Sequence, residues 1–179
     1  MRSLACLMMV ALPYVCHAQE TKGTAVKLDR LTSMTPADWK SEKPANRLRS
    51  HQFRLPGVKD AKDAEIYIFP DLINAVSDNF TRYKADFQAP EGMTVDDFAK
   101  NAKIEVGKAK IDILDITGTW LYKDRPFDKA AKIEPRPDSR VISVIFHTDD
   151  GNYLIRLSGP APTVTAHAKA FYDWIKAFK

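Results

Sequence analysis

Residues 110–122, KIDILDITGTWLY, decide the fold. Alternate positions put Ile111, Ile113 and Leu121 on one side and Leu114, Ile116 and Trp120 on the other. A strand apolar on both faces is expected to be covered on both faces. Asp115 shares the side of Ile113 and Thr117, so its carboxylate needs a partner such as Arg49, His51 or a backbone donor. The segment 140–147, RVISVIFH, has the same two-sided character.

Working outward, 103–106 precedes this strand across Gly107-Lys108 and reads as its hairpin partner, and 153–157 returns from 140–147 across Thr148-Asp-Asp-Gly-Asn152. Upstream, 48–55 is a strand stopped by Pro56-Gly57, with Arg47, Arg49 and His51 on the face of Phe53 and Leu55; 65–69 is another, ended by Pro70. The period then changes. Leu72, Val76, Phe80, Tyr83 and Phe87 recur at steps of four and three, one face of a helix. After Gly159-Pro160-Ala161-Pro162, Thr163 is expected to cap a last helix whose buried stripe is Val164, Ala168, Phe171, Trp174 or Ile175, and Phe178.

Before these elements the chain is polar, with one edge-strand run at 25–31 and at most one helical turn, Thr35-Pro36-Ala37-Asp38, before Trp39. The expected fold class is α+β: a single α/β/α sandwich, a mainly antiparallel sheet of about six strands with a helix on each face.

The ends bound location. Residues 1–18, MRSLACLMMVALPYVCHA, have one Lys or Arg, an apolar stretch and a small residue at Ala18, the layout of a cleaved signal peptide. Lipidation at Cys16 is the lesser alternative, because Pro13, Tyr14 and Val15 fit poorly before an acylated cysteine. The remainder, 19–179, is one domain, with 19–35 irregular or an edge strand, exported to the periplasm or beyond and without a transmembrane span after cleavage. Both cysteines, Cys6 and Cys16, leave with the signal, which excludes disulfides, thiol nucleophiles and Cys-ligated metals from the mature chain. The formal net charge of +4 is spread along the sequence and points to no nucleic-acid partner.

Several phrases, Phe53-Arg-Leu-Pro56, Asn79-Phe-Thr-Arg-Tyr83 leading to Phe87-Gln-Ala-Pro90, Ile116-Thr-Gly-Thr119 and Tyr153-Leu-Ile-Arg-Leu-Ser-Gly-Pro160, resemble small exported bacterial proteins of the PsbP-like fold. That fold takes in a photosystem II accessory protein and a Ran-binding nuclear transport factor. The resemblance implies a scaffold more often than an enzyme and no common cofactor, and it transfers no binding residue.

The chemistry-bearing residues are sparse. His51, His147 and His167 share no metal-ligand spacing, and Ser139, Ser143 and Ser158 lie in no nucleophile elbow. Asp96-Asp97 and Asp149-Asp150 are adjacent pairs in turn or capping contexts, and 149–152 lacks the alternating oxygens and distal Glu of an EF-hand. Asn79-Phe-Thr81 matches a glycosylation sequon by accident of a helix face. The remaining lead is aromatic and basic. Trp39, Arg49, His51, Trp120, Tyr122 and Arg125 are the candidate ligand-binding residues, with the proline-marked loop 123–138 beside them. No catalytic residue, metal or cofactor is expected. The favoured function is an exported non-catalytic protein-interaction or envelope-associated module with an unknown protein or glycan partner. A small-ligand or glycan binder is the alternative. A cell-envelope hydrolase ranks last, and it would require a cleft where His51 or His147 meets a carboxylate.

Overall fold

The structure, a computed structural model, describes residues 22–179 apart from 73, 126, 127 and 129; the signal-peptide reading, Cys6, Cys16 and Pro126 lie outside the described residues. Its elements are β1 (Ala25–Leu28), β2 (Leu31–Met34), β3 (Lys40–Glu42), β4 (His51–Leu55), β5 (Ala64–Phe69), α1 (Val76–Ala85), β6 (Phe87–Gln88), β7 (Lys100–Val106), β8 (Ala109–Tyr122), β9 (Glu134–His147), β10 (Asn152–Pro160) and α2 (Ala161–Lys176). A single 3-10 turn, Val95–Asp97, precedes β7.

The main sheet runs β3-β4-β5-β10-β9-β8-β6, with β7 pairing β8 beside β6, and every pairing in it is antiparallel. It has eight strands rather than about six. The additional ones are β3 and β6, of three and two residues, too short to show a period. The run at 25–31 is not one edge strand but part of a hairpin, β1 with β2, forming a separate two-stranded sheet.

The two-sided reading of β8 holds. Ile111 and Ile113 belong to an apolar cluster with Val164, Phe171, Trp174 and Ile175 of α2, whereas Leu114, Ile116 and Trp120 belong to one with Tyr83 and Phe80 of α1. Leu72 and Phe87, expected on the helix face, lie outside α1 but pack in the same cluster as Phe80 and Tyr83. Their apolar character is therefore used in the core without being helical.

Three local expectations are corrected. The strand at 48–55 starts only at His51, so Arg49 is free of its alternation; its guanidinium lies 4.2 Å from the Tyr67 ring centre instead of joining Phe53. Thr163 does not cap α2. The helix begins at Ala161 with Pro162 in its first turn, and Thr163 Oγ1 donates to the Lys62 carbonyl at 2.9 Å. The loop 123–138 is shorter than it reads, because Glu134 to Asp138 already form β9, with Pro135 opposite Leu121 and a register shift that accommodates Pro137 and Asp138.

Gly159 marks a close approach between strands. A Cβ there would stand 2.9 Å from Ala64 Cα, so only glycine lets β10 lie against the start of β5.

Candidate functional site

The six candidate residues do not converge. Trp39 is 3% exposed and packs edge-on against Trp174 at 5.4 Å, inside the cluster that contains α2. Arg49 donates to Gln52 and Glu65 at 2.9 and 3.0 Å while lying over Tyr67, an arrangement in which π face and carboxylate together hold the cation. His51 stacks on Phe53, contacts Ser50 Oγ at 3.1 Å, and is held below the ordinary imidazole pKa by burial.

Trp120 and Tyr122 do meet, edge-on at 5.1 Å near the end of β8. The arginine that joins them is Arg136, opposite Trp120 on β9, with its guanidinium carbon 3.4 Å from the Tyr122 ring centre; Arg125 instead pairs with Asp128 at 2.7 Å. The pairing with Arg136 depends on the β8–β9 register, which sequence separation hides.

Asp115 has the partner its burial requires, and that partner is Arg140. Its second oxygen also lies 3.5 Å from the Tyr172 hydroxyl. Burial, and next the Asp115 charge, push the Tyr172 pKa up to about 12.

His147 meets the carboxylate half of the condition set for a hydrolase, with Nε2 2.9 Å from Asp112 Oδ2. Its other nitrogen is 2.8 Å from Asn152 Oδ1, not from a hydroxyl nucleophile, and His147 lines neither cavity described below. His167 Nε2 bonds the Pro56 carbonyl at 2.9 Å and ties α2 to the turn after β4. The Asn79 sequon is sterically closed: its amide is buried and donates to the carbonyls of Asn74 and Ala75. Among the described residues no group of three or more His, Cys, Asp or Glu is placed to hold a metal.

Two concavities flank the end of β8. One lies under α1, where Tyr83, Phe87, Leu114, Ile116 and Trp120 surround Arg156 and Asp86 without leaving room for a water molecule. Arg156 is buried there between the Ser143 hydroxyl at 3.1 Å, the Tyr67 hydroxyl at 3.4 Å and the Tyr83 ring at 4.0 Å. Burial raises the Asp86 pKa against the opposing pull of Arg156. The other is an open groove of about 500 Å³ lined by Gln88, Ala89, Pro90, Met93, Phe98, Thr117, Gly118, Thr119, Pro137 and Asp138. Sequence reasoning missed this groove. Its signal was the pair of short segments either side of Pro90-Glu91-Gly92, which leaves β8 without one continuous neighbour.

An α+β chain with an antiparallel sheet of this order and two helices has a PsbP-like fold. The chain is similar to the solution structure of cyanobacterial PsbP (CyanoP) from Synechocystis sp. PCC 6803, with 94% of this chain and 98% of that one covered, 10% sequence identity and a TM-score of 0.51. A crystal structure of a Pseudomonas aeruginosa protein of unknown function aligns over 86% of this chain and 94% of that one, at 17% identity and a TM-score of 0.46. No family model matches the chain, and no curated protein matches it. At these identities the likeness is one of fold.

Proposed function

We propose that the protein is an exported, non-catalytic PsbP-like module that docks a partner macromolecule at the groove beside β8. The observation that carries this reading is the lining: apolar Ala89, Pro90, Met93, Phe98 and Pro137 around residues 117–119 of β8, with Asp138 the one ionisable group among the described residues there. A docking surface needs apolar area with few fixed charges, whereas acid–base or nucleophilic catalysis needs paired ionisable groups in reach of a substrate. The layered architecture, a helix on each face of the sheet, is part of the proposal. It is supported by the alternation of the α1 and α2 clusters along β8.

Export rests on the layout of residues 1–18. No helix among the described residues is long and apolar enough to cross a membrane, which says nothing of a β-barrel. Under this reading, N-terminal sequencing of protein recovered from the cell envelope begins at Gln19. Crosslinked pull-downs from envelope extract recover a partner with the wild type and lose it with Met93→Glu. Recovery of no partner, together with turnover on a substrate panel, would overturn the reading.

The second reading, a glycan or small-ligand binder, is favoured by one observation: Trp120, Tyr122 and Arg136 form a half-buried aromatic and cationic cluster at the sheet end. It predicts quenching of Trp120 fluorescence by a glycan, abolished in Trp120→Phe.

A further inference from the structure

The groove contains an interrupted sheet edge. On the side of β8 away from β9, β7 pairs as far as Lys100 with Asp115, and β6 resumes with Gln88 opposite Thr119. Among the described residues, Ile116, Thr117 and Gly118 have no strand neighbour on that side. Leu121 N–H donates to the Asp86 carbonyl at 2.8 Å, so its backbone turns toward that edge. Backbone groups on one edge of a strand recur at every second residue, which turns Thr119 and Thr117 the same way.

Extending the two registers by two residues brings Pro90 and Phe98 nearest to Thr117. Proline has no N–H to offer, and the loop from Ala89 to Ala99 makes no backbone hydrogen bond to Thr117 among the described residues. Thr117 is exposed in the middle of a fourteen-residue strand. Thr117 lines the groove together with Met93, 45% exposed, and Phe98, and by this alternation its backbone N–H and C=O face the interrupted edge.

We infer that the groove receives the free N-terminal end of a partner polypeptide, which adds to β8 at Thr117 as a short extended segment. This rests on the interaction-module reading and specifies its partner chemistry. Three features select the occupant. Unpaired strand groups are matched by an extended backbone, which supplies a donor and an acceptor to the same residue. The gap from Asp115 to Thr119 spans four residue steps, about 13 Å, so a through-going strand collides with Gln88 or Lys100 and a chain end of about three residues fits. Charge decides which end. A segment antiparallel to β8, as β6 and β7 are, places its N-terminus toward Thr119, beside which the β9 register shift sets Asp138, the one ionisable residue among the described residues lining the groove. An α-amine is attracted there and an α-carboxylate repelled.

The test uses the full mature protein and a positional library of tripeptide amides with free N-termini, beside the same library N-acetylated. In the free protein the Thr117 amide is expected to exchange at least about tenfold faster than those of Ile113 and Asp115, and bound peptide slows it. Asp138→Asn weakens free-amine peptides by about fivefold, the worth of one exposed ion pair, and leaves acetylated peptides unchanged. Thr117→Pro removes the donor and abolishes binding; should it not fold, the Asp138 variant and the exchange data carry the test. A Thr117 amide as protected as its neighbours in the free protein, or equal binding of acetylated peptides, overturns the inference. A partner whose capture survives Asp138→Asn and depends on Met93 leaves the interaction module standing and removes this occupant alone.

Discussion

Arg140 grips Asp115 with both arms, Nε donating to Oδ1 at 2.9 Å and Nη2 to Oδ2 at 2.6 Å. Arg140 stands opposite Thr117 on β9, so the pair is diagonal across neighbouring strands, and Arg140 Nη1 reaches on to Thr165 of α2 at 3.0 Å. The contact raises the Arg140 pKa, the hydrogen bond to Asp115 being the largest cause. A carboxylate in the middle of a covered strand is thereby satisfied by architecture.

Removing one member of this pair leaves the other charged and half-enclosed. Asp115→Asn is expected to destabilise the fold by about 2 kcal/mol, below the cost of a deeply buried pair because both ends keep some contact with water. Urea unfolding measures it. The same variant lowers the Tyr172 pKa from about 12, leaving the part due to burial.

Tyr172 also gives the protein an alkaline limit. Its folded pKa, about 12, stands above the ordinary value of 10.0, so the unfolded chain loses the phenolic proton first. The contribution of Tyr172 to stability is complete below pH 10 and is lost as pH rises toward 12, an alkaline slope that Tyr172→Phe flattens in denaturation series.

His51 acts at the acid side. Burial depresses its pKa below 6.5, so the folded state binds its proton less readily than the unfolded state. Stability falls as pH drops below 6.5 and levels off beneath the folded pKa; His51→Asn removes that part of the slope, and imidazole NMR titration locates the folded value directly.

Trp39 and Trp120 are expected to separate structure from binding. Trp39→Ala empties a core site against Trp174 and costs about 3–5 kcal/mol in chemical denaturation. Trp120→Ala costs less, because Trp120 is only half-buried, and under the glycan-binding reading it is the variant that loses quenching.

Gly159→Ala drives a methyl group into Ala64 Cα at 2.9 Å and Cβ at 3.0 Å. Backbone opposes backbone there, so the strands must part, at an expected cost of about 1–3 kcal/mol in thermal unfolding.

The amino-acid sequence alone determined the elements whose side chains repeat over many residues. The two-sided apolar run of β8, its counterpart in β9, the 3.6-residue stripes at Phe80 and Tyr83 and at Val164 to Ile175, and the turn at Thr148 to Gly151 all follow from local periodicity and turn chemistry. Tertiary structure alone decided what depended on register. Arg140 rather than Arg49 or His51 meets Asp115, Arg136 rather than Arg125 meets Tyr122, and Arg49 leaves the Phe53 face for Tyr67. It also decided the two-residue β6 and three-residue β3, which pair with the edges that β8 and β4 present to them. The groove at Thr117 is of this second kind: it exists because two short partners share one long strand and leave three residues between them, and no single segment encodes that gap.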